Sequence, residues 1–183
     1  MVIGILNLNN MQENIWNNQN LIKVLKKDGV VVMPTDTIYG IVGKALEENT
    51  VERIYEIKKR NSNKPCIILI GDIKELEKFE IILSEEKKKI LENYWPGPVS
   101  VVLDPFAFRL PFPKSLRNLL LKTGPLIAPS ANTEALPPAK NIEEAKKYFG
   151  EKVDLYIDGG EIEAKASKLI KLNNDGSILV LRE

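Results

Sequence analysis

The sequence predicts a single α/β domain over residues 1–183, in which a twisted mixed sheet carries helices on its faces. Short apolar runs of strand length alternate with amphipathic helical segments through most of the chain. Strand-like runs then cluster near the C-terminus, which indicates that part of the sheet is antiparallel. Because we find no internal repeat and no linker, one domain is the better interpretation.

The first half of the chain shows this alternation most clearly. Its predicted strands are continuous apolar runs, and its predicted helices have helical spacing or begin at a capping residue. In order, the elements are a strand at residues 3–8, an amphipathic helix from Ile15 that ends near Gly29, a strand at 30–33 that stops at Pro34, a helix capped by Thr50, and a buried strand at 66–70.

The second half continues with helices and then ends in strands. A polar turn at residues 173–176 is predicted to join the last two strands as a hairpin. In order, the elements are a helix capped by Ser84 that ends near Asn93, a strand at 99–103, a helix at 114–122, a strand at 126–128, a helix capped by Asn141 that ends at Phe149, and strands at 155–157, 168–172 and 178–181.

The residue counts exclude several classes of function. The chain has no histidine, which excludes Ser-His-Asp and Cys-His catalytic sites, histidine-liganded metal sites and imidazole bases. The single cysteine, Cys66, cannot form an intrachain disulfide, and we interpret it as a small buried side chain rather than a reactive thiol. The 26 basic and 25 acidic residues give a net charge of +1, which excludes a uniformly basic nucleic-acid-binding protein but not a local basic groove.

The sequence also gives an expectation for the compartment. The apolar runs are too short to cross a bilayer, and the N-terminus lacks the cationic and apolar regions of a signal peptide. A cysteine-poor chain fits a reducing compartment. We therefore expect a cytoplasmic protein with no membrane partner.

Four polar segments are placed at the ends of predicted strands and helices, where open α/β sheets bind ligands. They are residues 34–40 (PTDTIYG), 58–65 (KKRNSNKP), 94–100 (YWPGPVS) and 128–132 (APSAN). Each segment also has a purely structural interpretation. In the same order, these interpretations are a helix cap with a turn, cations that complement a helix dipole, a packed hinge around Trp95, and an Asx-type turn. The chain has neither a phosphate-loop nor a dinucleotide motif, so any nucleotide site has to be built from such segments.

The second segment indicates an anion-binding site most strongly. Lys58, Lys59, Arg60 and Lys64 lie within seven residues of one another. A helix dipole accounts for one or two of these cations but not for Lys64, which follows the helix. Clustered lysine and arginine side chains bind phosphate well, because arginine can contact two phosphate oxygens at once.

Taken together, these segments resemble the YrdC-type threonylcarbamoyl-AMP synthases in order along nearly the whole chain. The matching motifs are PTDTIYG from Pro34, Lys58-x-Arg60 followed by Lys64-Pro65, WPGPVS from Trp95, RLP from Arg109, SAN from Ser130, Asp158-Gly159-Gly160, and the last strand ending at Arg182. Each motif is weak alone, but the ordered set is specific. The resemblance implies a concave, positively charged pocket and a short form without the extra C-terminal domain of longer relatives.

The resemblance also implies an activity. The family joins L-threonine, bicarbonate or carbon dioxide, and ATP, and forms threonylcarbamoyl-AMP and pyrophosphate. This nucleotidyl transfer prepares the intermediate for threonylcarbamoyladenosine in tRNA. We therefore expect Mg²⁺ that is held by ATP rather than by a protein metal site, and delivery of the product to a tRNA threonylcarbamoyl transferase complex. Direct contact with tRNA stays open.

The resemblance carries over to individual residues. The signature tetrad of the family, implied to be catalytic and to bind ATP, matches Lys58, Arg60, Ser130 and Asn132. Further ATP contacts match Ser100 and Arg182, and contacts to threonine match Thr35, Arg109 and Ser167. Arg109 is suited to the threonine carboxylate.

The chain departs from the family pattern in three places. Thr133-Glu134-Ala135 stands where the family often has Ser-Gly shortly after its Ser-x-Asn. A late Pro-Ser-Thr is Ala166-Ser167-Lys168 in this chain, and a common histidine is absent. These departures concern the substrate pocket and leave the tetrad intact.

Two other functions remain as alternatives. The first is a non-catalytic module of the same fold that binds double-stranded RNA or tRNA, which the nearly balanced charge disfavours. The second is a paralogue that acts on a different carboxylated substrate, which the retained tetrad disfavours. Threonine-dependent pyrophosphate release distinguishes both from the synthase.

Overall fold

The structure is a computed structural model that describes residues 15–61 and 63–183. The α-helices that lie wholly within these residues are α1 (Gln19–Lys26), α2 (Glu48–Lys58), α3 (Glu85–Leu91), α4 (Lys114–Thr123) and α5 (Ile142–Phe149). Shorter 3₁₀ helices span Ile73–Phe79 and Gly150–Lys152.

The strands of the described residues form one mixed sheet. They are β1 (Val31–Pro34), β2 (Tyr39–Lys44), β3 (Ile67–Leu69), β4 (Val99–Leu103), β5 (Phe106–Arg109), β6 (Leu126–Ile127), β7 (Leu155–Tyr156), β8 (Lys168–Leu172) and β9 (Ile178–Arg182). Their order in the sheet is β7-β1-β2-β6-β3-β5-β4-β8-β9. The pairs β1/β7, β3/β5 and β4/β8 are parallel, and the other neighbours are antiparallel. The predicted α/β class and the mixed sheet are confirmed.

Alternating side chains of the strands pack against helices on both faces of the sheet. On β1, Val31 and Met33 pack with α1 and α4 in one core cluster, whereas Val32 packs with α2 and α5 in another. A third cluster buries Val101 of β4 beneath the 3₁₀ helix Ile73–Phe79. Because neighbouring side chains on a strand point to opposite faces, Ser100 and Val102 lie on the face of β4 away from that cluster.

The starts of two helices were predicted correctly from their capping residues. The side chain of Ser84 accepts a hydrogen bond from the backbone N–H of Lys87 at the start of α3, at 3.3 Å. The side chain of Asn141 accepts one from Glu144 at the start of α5, at 3.0 Å. The predicted strand at residues 3–8 lies outside the described residues.

Three predictions about the elements were wrong or incomplete. Thr50 does not cap a helix, because α2 begins two residues earlier and the buried Thr50 hydroxyl donates instead to the carbonyl of Asp28, at 3.0 Å. The strands β2 and β5 were missed. β2 contains two glycines and a lysine, and β5 has only four residues, so neither has a distinct apolar run.

No helix within the described residues combines the length and the apolar character that crossing a membrane requires.

Candidate functional site

One face of the sheet carries a cavity of about 720 Å³. Most of the predicted site residues contribute to its wall, although they come from distant parts of the chain. Those that line it are Thr35, Arg60, Arg109, Ser130, Ser167 and Arg182. The other three predicted residues, Lys58, Ser100 and Asn132, are hydrogen-bonded directly to residues of this wall.

The sheet register places two rows of side chains beside each other at the cavity. Across β4, β8 and β9, Ser100 pairs with Leu169 and Leu169 pairs with Arg182, and this polar row lies beside Arg109 of β5. A second row, made of Ala107, Val102, Lys171 and Leu179, lies two residues further along β5, β4 and β8 and three residues further along β9, where the register shifts. Equivalent side chains two residues apart on a strand point to the same face. The cavity floor is therefore two adjacent rows of one sheet face.

The segment PTDTIYG forms the tight connection of the β1–β2 hairpin. Pro34 pairs with Tyr39, and the backbone N–H of Thr35 donates to the carbonyl of Ile38 at 3.1 Å. The Thr35 hydroxyl donates to the same carbonyl at 2.7 Å and lies 3.3 Å from the hydroxyl of Thr37. The helix-cap interpretation of this segment was therefore wrong, and both threonine side chains line the cavity.

A buried ion pair joins this hairpin to β5. Nη2 of Arg109 lies 2.7 Å from Oδ1 of Asp36, and both side chains are only 4% exposed. Arg109 also donates to the hydroxyl of Thr37 at 3.3 Å. Burial without a partner would be costly for either charge, so the pair fixes the guanidinium in the cavity wall. Nε of Arg109 and Oδ2 of Asp36 are buried with no hydrogen-bond partner among the residues described.

Asp36 is one of the residues of this site that the sequence analysis did not select, and Thr37, Asp104 and Lys171 of the cavity lining are others. Asp36 lies between two threonines that were recognised as part of a polar segment, and that position is the signal by which it could have been found. Nothing in the sequence indicates that its partner is Arg109, which is 73 residues away.

A second polar group links β4 to the C-terminal hairpin. The hydroxyls of Ser100 and Ser167 lie 2.8 Å apart, and both residues are buried. Arg182 donates to the carbonyl of Ser167 through Nη2 at 2.7 Å and through Nε at 3.1 Å. These contacts hold the guanidinium of Arg182 at the cavity wall, where no described carboxylate forms an ion pair with it.

Lys58 lies behind the wall and supports the Ser130 loop. Its ammonium group donates to the carbonyls of Ser130 and Asn132 and, at 3.2 Å, to Oδ1 of Asn132. The side-chain oxygen of Asn132 also accepts from the Ser130 hydroxyl at 2.6 Å. Burial lowers the pKa of Lys58 to about 8, because it penalises the charged form. Lys58 therefore contacts both Ser130 and Asn132, two other members of the tetrad.

Two residues of the tetrad also make contacts within their own loops. Arg60 donates to the carbonyls of Lys64 and Pro65, both at 3.2 Å, while its side chain lines the cavity. The amide of Asn132 donates to the carbonyl of Leu136 at 2.6 Å, and the Asx-type turn is not formed, because the backbone N–H of Glu134 donates to the carbonyl of Lys58 instead. Arg60 therefore faces the cavity, whereas Asn132 holds the loop from behind.

Two residues have the structural roles that the sequence analysis favoured. Trp95 is buried in the third core cluster, and its indole N–H donates to the carbonyl of Val99 at 2.8 Å. It therefore packs as part of a hinge. Cys66 is buried, and burial raises the pKa of its thiol, which disfavours the reactive thiolate.

The departure at residues 133–135 has a backbone consequence. Ala135 has a φ of 70°, which lies in the left-handed region that glycine adopts more easily than alanine. The loop of this chain therefore carries a small conformational strain.

We expect Ala135→Gly to increase the free energy of unfolding by about 0.5–1 kcal/mol, because the strain at positive φ exceeds the extra entropy of the unfolded glycine chain. Urea unfolding of both proteins measures the difference. A matched control is Ala164→Gly, at an exposed position where no positive φ is found, and it should not be stabilising. A loss of stability in Ala135→Gly would contradict the explanation.

Within residues 15–61 and 63–183, no three Cys, Asp or Glu side chains are grouped as they would be to hold a metal ion. Asp104, which lines the cavity, pairs with Lys171, and Asp36 pairs with the lining residue Arg109. The described residues therefore offer arginine and hydroxyl groups for a ligand rather than a carboxylate cage for a cation.

The fold and the cavity together define a class of protein, an α/β domain with an arginine-lined cavity on one face of a mixed sheet. The family profile described as "Sua5_yciO_yrdC: Telomere recombination" matches residues 23–183. The chain belongs to this Sua5/YciO/YrdC family.

Individual relatives match over most of the chain. The threonylcarbamoyl-AMP synthase of Pyrococcus abyssi is 32% identical over 169 residues, which covers 83% of this chain and 50% of that protein. A Methanocaldococcus jannaschii relative is 32% identical over 182 residues, covering 90% of this chain and 86% of the relative. The crystal structure of P. abyssi Sua5 complexed with L-threonine is similar at a TM-score of 0.81 and 29% identity, over 92% of this chain and 54% of that one. This chain thus spans about half the length of the P. abyssi protein.

Proposed function

We propose that the chain is a threonylcarbamoyl-AMP synthase, a nucleotidyltransferase that forms threonylcarbamoyl-AMP and pyrophosphate from L-threonine, bicarbonate or carbon dioxide, and ATP. One observation carries the proposal: three guanidinium groups, from Arg60, Arg109 and Arg182, line a single cavity together with hydroxyl groups. The name of the P. abyssi relative and the L-threonine in the P. abyssi Sua5 structure support it.

The proposed chemistry needs charge stabilisation more than a strong base. The amine of threonine adds to carbon dioxide and loses a proton, which gives a carbamate anion. A carbamate oxygen then attacks the α-phosphorus of ATP, the bond to the bridging oxygen breaks, and pyrophosphate leaves. Because the nucleophile is already an anion, positioning and neutralisation of phosphate charge supply most of the rate. A chain without histidine is well suited to such a reaction.

The proposal assigns the wall residues by position. Arg60 and Ser130 contact the phosphates, with Lys58 and Asn132 holding Ser130 and adding positive charge behind it. Their neighbours on the sheet take the remaining parts of the substrates. Ser100 and Arg182 are assigned to the nucleotide, and Thr35, Arg109 and Ser167 to threonine.

Mg²⁺ would enter this site as part of the ATP substrate. The paired carboxylates at the cavity fit an ion that ATP and water hold, and they do not fit a resident metal. The ion would neutralise charge on the phosphates while the arginines position them.

The decisive test is turnover by the purified chain. With ATP, Mg²⁺, bicarbonate and L-threonine, we expect pyrophosphate release that stops when threonine is omitted. Replacement of L-threonine by L-valine, which lacks the hydroxyl, is the matched control and should support much slower release. Salt-sensitive RNA binding without any threonine-dependent turnover would instead indicate the RNA-binding alternative.

A proton should be taken up when nucleotide binds at pH 8. Because the pKa of Lys58 is about 8, this lysine is about half protonated there. Phosphates bound near it raise the pKa again, so binding draws in up to about half a proton. At pH 7 the lysine is already mostly protonated and the uptake should be much smaller.

Calorimetry of ATP binding in two buffers of different ionisation enthalpy measures this uptake. Equal uptake at pH 7 and pH 8 would contradict a link between Lys58 and the bound phosphates. A pH-independent affinity between pH 7 and 9 would contradict it as well.

The product would be a mixed anhydride of a carbamic acid and a phosphate, which water hydrolyses readily. We therefore propose that a tRNA threonylcarbamoyl transferase consumes it soon after release. Trapping of tRNA-bound threonylcarbamoyl groups when the two proteins are mixed tests this step.

A further inference from the structure

Besides Lys58, the side chain of Glu134 joins the loop that carries Arg60 to the loop that carries Ser130. Its carboxylate accepts a hydrogen bond from the backbone N–H of Asn61 at 3.1 Å and forms an ion pair with Lys64 at 2.5 Å. The backbone N–H of Glu134 donates to the carbonyl of Lys58 at 2.9 Å. Glu134 therefore contacts the beginning, the middle and the end of residues 58–64.

This fastening lies outside the cavity. Arg60 and Ser130 are part of the cavity wall, whereas Asn61, Lys64 and Glu134 are not among the described residues that line it. The Lys64 side chain is 61% exposed and that of Glu134 is 26% exposed. Glu134 can therefore act on a ligand in the cavity through the loop or through its charge, and loss of its negative charge alone would strengthen anion binding rather than weaken it.

The orientation of Arg60 depends on the shape of this loop. Its guanidinium is held by the carbonyls of Lys64 and Pro65, and the backbone N–H of Lys64 donates to the carbonyl of Asn61 at 3.0 Å. A shift of Lys64 would move the acceptors of Arg60. Glu134 binds both Lys64 and Asn61, the two residues that this backbone hydrogen bond joins. It therefore holds in place the Lys64 carbonyl that accepts from Arg60.

We propose that Glu134 is a positioning residue for nucleotide binding, which holds residues 58–65 in the shape that directs Arg60 into the cavity. This inference rests on the proposed function. It gives a role to the residue at which the chain departs from the family pattern. The hydrogen bond from Lys64 holds the pKa of Glu134 below its ordinary value, so the carboxylate is charged at neutral pH.

The test is the kinetics of Glu134→Ala with Mg-ATP. We expect KM for ATP to rise roughly three- to tenfold, because partly exposed ion pairs have modest effects, while kcat and KM for threonine stay within twofold of the unaltered protein. Glu134→Gln retains an oxygen that can accept from Asn61 and should recover part of the affinity. Glu85→Ala, which removes an exposed glutamate paired with Lys88 on α3, is the matched control and should leave KM unchanged.

A double-mutant cycle tests whether Glu134 acts through Lys64. We expect Lys64→Ala to raise KM for ATP in the same way, and the double variant to be little worse than Glu134→Ala alone. Hydrogen exchange without substrate provides an independent measurement: the amide of Asn61 should exchange faster in Glu134→Ala than in the unaltered protein.

The outcomes separate this inference from the proposed function. If the unaltered protein turns over normally and Glu134→Ala keeps its KM for ATP, only the role of Glu134 is refuted. Fully additive effects of the two alanine variants, or equal changes in KM for ATP and threonine, also refute it. Absence of threonine-dependent turnover in the unaltered protein refutes the proposed function. In that case, unchanged hydrogen exchange at Asn61 in Glu134→Ala would refute the stabilising contact between Glu134 and the loop.

Discussion

Replacement of Lys58 by methionine is expected to reduce kcat/KM for ATP at least a hundredfold. The ammonium group is the shared donor to two backbone carbonyls and one side-chain oxygen of the Ser130–Asn132 loop. Methionine fills the space of the aliphatic stem but donates no hydrogen bond, so the loop loses its support and the cavity loses a positive charge. Pyrophosphate release measured over a range of ATP concentrations gives the effect.

Stability has to be measured beside activity in this variant. Buried carbonyls that lose their donor cost about 1–3 kcal/mol, so Lys58→Met should also unfold at lower urea concentration. Lys59→Met changes the neighbouring exposed lysine and should alter neither property. Activity of Lys58→Met above a third of the unaltered value would show that the proposed role of Lys58 is wrong.

Replacement of Arg109 by alanine is expected to abolish threonine-dependent turnover and to destabilise the fold by about 3–5 kcal/mol. The second effect follows because the buried carboxylate of Asp36 would be left without its partner. The first follows from the proposed contact of Arg109 with the threonine carboxylate. Urea unfolding and pyrophosphate release measure the two effects separately.

A double variant distinguishes the two roles of Arg109. Asp36→Asn combined with Arg109→Met removes both buried charges, so most of the lost stability should return. Turnover should stay absent, because no guanidinium remains to bind the substrate carboxylate. If turnover returns together with stability, Arg109 is needed only for the fold and its assignment to threonine is wrong.

The sequence predicted those parts of the fold that depend on local patterns. The strand β8 has the predicted bounds, because an apolar run and a polar turn delimit it. Helices α3 and α5 begin where Ser84 and Asn141 indicate, because a capping side chain acts over three residues. β2 and β5 could not be predicted in this way, since strands as short or as glycine-rich as these are stabilised by pairing with distant neighbours.

The same distinction applies to the candidate site. Ordered motifs identified nine residues, and the structure brings six of them to one cavity wall and the other three directly against it. What motifs could not show is how these residues are paired. Neither the burial of Arg109 against Asp36 nor the support of Ser130 by Lys58 can be read from sequence spacing, because both contacts join segments more than 70 residues apart.

The cavity is assembled from the β1–β2 hairpin, the loop after α2 and the hairpin of β8 and β9, so no portion of the chain contains it alone. Thermodynamic linkage would then give the proposed nucleotide ligand a second effect. A ligand that binds only the assembled sheet holds the first and last hairpins together. Its binding free energy is therefore added to the free energy of unfolding of the whole domain. Saturation with substrate should therefore slow any proteolysis that requires unfolding of the whole domain, both at the β1–β2 hairpin and at the hairpin of β8 and β9.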